Sequence, residues 1–385
     1  KETIYFLIFV FLSLGYNTAF FKSLNFNEND FIDKNYVFNE PIKIENNKRN
    51  LVLIYVESLD NFFSDKEIFG DDLLRPLSVE ISNGISIENF YQLPGYSFTI
   101  NSLVSTQCGI PAKPLGFFKE SDLKNIKNFL PNIKCLSDFT NDLDYINIFL
   151  TSDEIENFGV KYFLNNHNYL DKNIYDVKKL NKLGYETSKN AWRGTKNKYG
   201  GMHDDVLFEA SLNIINEIKN NQKPFFLTVY TLDTHSPRGY PNQNCLKSKF
   251  SNINIINDFN IKHSVICTVE SLKQFILNLS NLNEDIDIVI LGDHSYPQNF
   301  KTETSIYNKF ILREKKVFNR SKMNHLDLFP SLLSLLGYEI KDGRLGLGFN
   351  IFNSVDLIFY NEFILNLDKK ISGKSKKYLS FWKND

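Results

Sequence analysis

Three apolar runs in this chain are each followed by a polar string, and together those strings offer the side chains a divalent cation needs. Glu57-Ser58 follows Leu51–Val56, Thr231-Leu232-Asp233-Thr234-His235 closes Phe225–Leu232, and Gly292-Asp293-His294 follows Ile286–Leu291. The chain has only six His, and two of them stand here. A lone Asp or His after a strand is usually a capping or turn residue. Glu, His and Asp-His on three such ends make a constellation, and carboxylates with imidazole suit Mn, Mg or Zn.

A cation alone names no reaction, but Tyr91–Pro111 (YQLPGYSFTINSLVSTQCGIP) adds a hydroxyl. Pro94-Gly95 marks a turn. Thr99 then opens a stretch with Ile100, Leu103 and Val104 at helical spacing. A hydroxyl there lies beside free backbone N–H groups and the positive end of the helix dipole. Thr99 is therefore either a simple N-cap or a nucleophile whose alkoxide the dipole and a metal would stabilise. Ser97 is the rival hydroxyl.

The elements that must position these residues are legible as periodicity. Leu51–Val56, Tyr145–Leu150, Phe225–Leu232, Ile286–Leu291 and Phe310–Leu312 read as buried strands of a mainly parallel sheet. Asp204–Ile218, Val265–Leu279 and Leu326–Leu336 have helical spacing. Strand–helix alternation predicts a doubly wound α/β fold with helices on both faces, and ligands in such folds sit beyond the carboxyl ends of the strands. No internal repeat is present.

The 385 residues, 42% hydrophobic, are ample for a large core. A net charge of -1, from 44 basic and 45 acidic residues, provides no electrostatic footprint for nucleic acid. Near the start, Ile4–Leu14 (IYFLIFVFLSL) is uncharged. A full span needs about 20 apolar residues, reached only if Gly15–Phe21 is included. We read residues 1–21 as the end of a transmembrane helix, with a buried core helix or a signal peptide as alternatives. The polar stretch 22–49 reads as a linker and 50–385 as the catalytic domain. The four Cys form two sequence-local pairs, Cys108 with Cys135 and Cys245 with Cys267, 27 and 22 residues apart. Outside the cytoplasm these read as two disulfides; in the cytosol they would be buried thiols.

From Asn50 to about Phe352 the chain resembles the alkaline phosphatase superfamily, in its sulfatase-like branch. The motifs that carry the resemblance are NLVLIYVESL around Glu57, GDH at Gly292–His294, the string Gln92–Pro111, DTH-P-G at Asp233–Gly239, the Asp204-Asp205 pair and LGLG at Leu345–Gly348. Within that branch it is most similar to phosphoglycerol transferases that decorate osmoregulated periplasmic glucans, and it is related to lipoteichoic acid synthases. The four Cys match Cys positions of the transferase pattern.

The resemblance implies that Glu57, Thr99, Asp293 and His294 hold one divalent cation, Mn or Mg, with Zn as a further choice. Thr99 would take the head group of a phospholipid, phosphatidylglycerol favoured, as a phospho-threonine and pass it to a glycan acceptor. His235 would bind phosphate or assist the leaving group. It also implies a bacterial inner-membrane protein, anchored by its N-terminal helix, with the catalytic domain facing the periplasm. Lipoteichoic acid synthases use an Asp, a Trp and an Arg on glycerol phosphate. Here Asp153 matches the Asp, Phe158 stands in the Trp position and Lys161 is the nearest base, while Trp192 and Arg193 lie in a later loop. Asp153, Lys161, Arg193 and His235 are thus the substrate-binding candidates, and phosphoethanolamine is an alternative head group. A hydrolase of the same fold, using water as acceptor, would need the same residues. A sulfatase proper needs C/S-x-P-x-R, and Thr99-Ile100-Asn101-Ser102 lacks its Pro and Arg. A binding module would have no use for Glu57, Thr99, Asp293 and His294 together.

Overall fold

The computed structural model describes residues 31–44, 49–93, 99–112, 128–156, 159–250, 260–282, 285–298, 305–365, 367–371 and 375–383. At its centre lies a six-stranded sheet made of β1 Asn50–Val56, β2 Ile146–Thr151, β3 Ile174–Tyr175, β4 Phe225–Tyr230, β5 Ile286–Gly292 and β6 Asn308–Ile311, ordered β3-β2-β4-β1-β5-β6. The first five strands are parallel, and β6 pairs antiparallel with β5. All five expected strands are present. β6 starts earlier than its apolar run because Asn308 and Lys309 are buried by hydrogen bonds to the Ile87 and Leu77 backbones, which hydropathy does not register.

The sheet is covered on both sides, as expected. Strand side chains alternate between its faces. Leu51, Leu53, Tyr55 and Tyr230 share a core with helices α2 Thr99–Cys108, α3 Leu136–Asp142 and α6 Leu328–Leu335. Val52, Ile54, Leu227 and Ile288 share the other with α4 Asp204–Ile218 and α5 Ile261–Ser280. This burial on both faces is why β1, β4 and β5 are buried throughout and mostly apolar, with Asn50, Thr228 and Asp287 as the polar exceptions, instead of alternating.

Part of the stretch read as a linker is docked on this body. Helix α1 Phe31–Asn35 sets Phe31 against Phe363 at 5.2 Å, and Ile42–Lys43 pairs antiparallel with Tyr338–Glu339. The few apolar residues that do this are diluted by the polar composition around them, so the folded body begins before residue 50. The run Ile4–Leu14 lies outside the described residues. Among the described residues, no helix is long and apolar enough to cross a membrane.

Both Cys pairs are disulfides, with Cα separations of 4.3 Å for Cys108–Cys135 and 5.8 Å for Cys245–Cys267. The first ties the end of α2 to the start of α3, and the second ties the helix Gln243–Lys249 to α5. Thiol labelling of the denatured, unreduced protein is expected to modify no Cys. Reduction should cost roughly 3 kcal/mol of stability per bridge, read as a lower denaturation midpoint. Labelling of all four would contradict both bridges.

Candidate active site

Parallel strands end at one edge, so β1, β4 and β5 deliver their polar strings together. β1 and β5 are neighbours with Val56 beside Gly292, which sets Glu57 next to Asp293. The close approach requires the glycine, since a Cβ there would lie 2.0 Å from the Leu59 carbonyl oxygen. Ser58 takes a left-handed φ of +52°, uncommon for a residue with a Cβ. Its N–H donates to Asp293 Oδ1 at 2.7 Å and its Oγ–H to Glu57 Oε1 at 2.6 Å. The His294 N–H also donates to Asp293 Oδ1, at 2.8 Å. His294 Nδ1 meets the Ser295 carbonyl at 3.0 Å, so it carries the proton, and Nε2 turns toward Glu57 Oε1 and Asp293 Oδ2, 3.4 Å from each.

The possible ligand atoms of Glu57, Asp293 and His294 all lie within 4.8 Å of one another. All three residues are buried, and Glu57 Oε2 has no hydrogen-bond partner among the described residues. Burial and the Glu57 carboxylate push Asp293 up to about 6. Burial pulls His294 down, but Asp293 and Glu57 outweigh it and hold the imidazole above its usual value. Two buried carboxylates, one oxygen of them unpaired, are costly unless a cation joins them. The donor set therefore fits one divalent ion.

Thr99 reaches this cluster through a residue that sequence reading passed over. Its side chain comes close enough to act on the Tyr230 hydroxyl, which donates to Asp293 Oδ2 at 2.6 Å. Tyr230 is the last residue of β4, stacked on Tyr55 at 5.0 Å, and burial holds its hydroxyl well above the usual tyrosine range. In an apolar run it reads as core; a phenol at a strand end among polar strings was the one signal available. Ser97 lies outside the described residues.

His235 stands on the loop after β4, and the start of α4 fixes that loop from below. Asp204 Oδ1 accepts from the Leu232 and Asp233 N–H groups at 2.9 and 3.2 Å, and its Oδ2 from the Thr268 hydroxyl at 3.0 Å. Asp233 in turn accepts from the Asp204 N–H and faces His203 Nδ1, both at 3.0 Å. The Asp204-Asp205 pair thus serves as an anchor: Asp205 accepts from Asn242 Nδ2 at 2.7 Å. The charges of Asp293, His294 and Arg193 act on the His235 ring, and burial pulls it below the usual histidine value. Asp153, after β2, pairs with Arg193 at 3.4 Å and accepts from Asn197 at 3.3 Å. Lys161 instead pairs with Glu156 at 3.7 Å, its side chain 41% exposed. Phe158 lies outside the described residues.

Burial pulls His203 down, but Asp233 more than compensates and raises it to about 9. A raised value in the folded state stabilises fully below the unfolded value of about 6.5 and is lost as pH climbs through 9. The contribution of this group to the melting temperature should be flat well below pH 6 and fall from about pH 6.5 toward pH 9.5, with a slope of at most about 1.4 kcal/mol per pH unit. His203→Gln should be less stable at pH 6 and should lose that part of the slope; an unchanged slope would refute the assignment.

A family model described as Sulfatase matches residues 49–338. Phosphoglycerol transferase I of Salmonella choleraesuis is 28% identical over 364 residues, covering 90% of this chain and 44% of that protein. The Escherichia coli O6:K15:H31 protein of the same name is 28% identical over 365 residues, with the same coverage. This chain therefore spans less than half the length of these relatives. Among solved structures, the lipoteichoic acid synthase LtaP from Listeria monocytogenes superposes with a TM-score of 0.65 at 17% identity, covering 84% of this chain and 81% of that one. An alkaline phosphatase superfamily protein from Vibrio parahaemolyticus gives 0.60 at 17% identity, covering 85% and 78%. The C-terminal periplasmic domain of EcEptC from Escherichia coli, solved as a complex with Zn, gives 0.55 at 14% identity, covering 82% and 90%. These likenesses bear out the alkaline-phosphatase-like fold.

Proposed function

The chain belongs to the sulfatase family, and from that premise we propose that it moves a phosphoglycerol group from phosphatidylglycerol to a cell-envelope glycan through Thr99. The observation that carries this reading is the buried Glu57–Asp293–His294 cluster, whose Asp293 accepts from the Tyr230 hydroxyl on which the Thr99 side chain at the start of α2 acts. The 28% identity to phosphoglycerol transferases supports the choice of group.

In the first displacement the Thr99 oxygen bonds to phosphorus and the bond to the diacylglycerol oxygen breaks. The head group is left as a threonine diester, and diacylglycerol departs with a proton. In the second, an acceptor hydroxyl bonds to phosphorus, loses its proton and frees Thr99. His235 Nε2, the ring nitrogen not engaged by Ser236, serves as the acid in the first and the base in the second. The α2 N-terminus offers N–H groups to the phosphate oxygens. Arg193, paired with Asp153, sits where its charge reaches the His235 end of the site. A divalent cation held by Glu57, Asp293, His294 and Thr99 would supply a lowered hydroxyl pKa and offset phosphoryl charge. We take that ion as Mn or Mg; the Zn complex of the E. coli domain supports Zn as the other choice. The lipid donor and the apolar run Ile4–Leu14 support a membrane-anchored chain whose catalytic part faces the periplasm.

Purified protein incubated with Mn and a soluble glucan should release diacylglycerol from phosphatidylglycerol but not from phosphatidylethanolamine. Mass spectrometry should find glycerol phosphate on the Thr99 peptide. Release from phosphatidylethanolamine alone would reassign the head group, and equal turnover without any glucan would reassign the enzyme as a hydrolase.

A further inference from the structure

Trp192 belongs to neither hydrophobic core, yet it is held in place with unusual completeness. Its indole lies face to face on the His235 imidazole, with ring centroids 3.6 Å apart and planes 17° from parallel. Tyr240 meets the same indole at 5.2 Å and a steep angle. The loop that delivers it is closed by a bridge between Ser188 and Gly201. A Cβ on Gly194 would lie 2.2 Å from the Ser188 carbonyl oxygen, and one on Gly201 would lie 2.3 Å from that of Trp192. Arg193 adopts a left-handed φ of +54° and pairs with Asp153 at 3.4 Å. Strain of that kind persists where the surroundings over-determine the backbone, and it concentrates at functional sites.

The imidazole is constrained in two independent ways. Ser236 engages Nδ1 at 2.8 Å, and the indole covers one face. A histidine otherwise turns broadly about its second side-chain torsion, and misplacing a reacting group by about 1 Å can cost about 100-fold in rate. The indole face also favours a cationic ring, which suits a residue that alternates between acid and base.

We propose that Trp192 is a positioning residue that clamps the His235 imidazole in the one orientation presenting Nε2 to the phosphoryl group. This rests on the reading of His235 as the proton carrier. With phosphatidylglycerol as substrate, Trp192→Ala should lose about 30- to 100-fold in kcat with KM within about threefold. Trp192→Phe, which can still stack, should recover most of that loss. A threefold effect or less in Trp192→Ala, or a loss confined to KM, would overturn the proposal.

A second measurement does not need turnover. The chain has two Trp, so Trp382→Phe leaves Trp192 as the sole indole. Protonation of a stacked imidazole should quench its emission, giving one titration step that disappears when His235→Gln is added. Emission insensitive to pH would overturn the clamp whatever the substrate. A titrating emission without any phospholipid turnover by the parent would instead overturn the catalytic reading, and the assigned role with it, while upholding the stack.

Discussion

Thr99→Ala is expected to abolish the proposed group transfer, with a loss of about 10⁴-fold or more, while the fold survives. The size follows from the mechanism, since a methyl group has no oxygen to carry the intermediate, and nucleophile knockouts in covalent enzymes cost this much or more. The fold survives because the hydroxyl touched by Thr99 keeps its main partner: Tyr230 still donates to Asp293 at 2.6 Å. At most about 1 kcal/mol should be lost with the helix-start hydroxyl. Thr99→Ser keeps an oxygen at the same carbon and should retain a measurable fraction. Diacylglycerol release and a thermal melt of the same preparations check both halves. Full turnover by Thr99→Ala would end the covalent reading, and full turnover with loss in Ser97→Ala would move the nucleophile.

Removing the divalent ion should be almost as damaging. A chelator is expected to reduce turnover by about 10³-fold or more, taking several kcal/mol of charge stabilisation at about 1.4 kcal/mol per tenfold. Mn or Mg should restore it in the parent but not in Asp293→Asn. The pH dependence has a definite sign. Asp293, raised to about 6 by burial and Glu57, and His294, held above its ordinary value, both keep protons that a cation must displace. Affinity should therefore weaken as pH falls through about 6, and binding should release protons measurable in weak buffer. Pelleted protein that turns over undiminished after exhaustive chelation, with no metal by elemental analysis, would sink the cation site.

Much of this site is legible in the chain alone. Glu57, Asp293 and His294 each follow an apolar run, and a parallel sheet buried on both faces makes such runs continuous and easy to read. The helix from Thr99 announces itself by its periodicity. The two disulfides follow from Cys residues that are near in sequence, where pairing requires little long-range information. Residues 31–44 are harder, because a few docking side chains are diluted among polar ones.

Other features exist only in three dimensions. Tyr230 is indistinguishable from core until the strand order β4-β1-β5 sets its hydroxyl between Thr99 and Asp293. Arg193 meets Asp153 through a left-handed residue and a bridged loop, neither of which has a periodicity to read. Lys161, nearest to Asp153 in sequence, faces Glu156 instead. Composition and period decide which local element forms and which of its faces is buried. Side chains from positions 57, 99, 230 and 293 meet only because register and strand order close contacts across long stretches of chain, and the sequence does not encode those contacts locally.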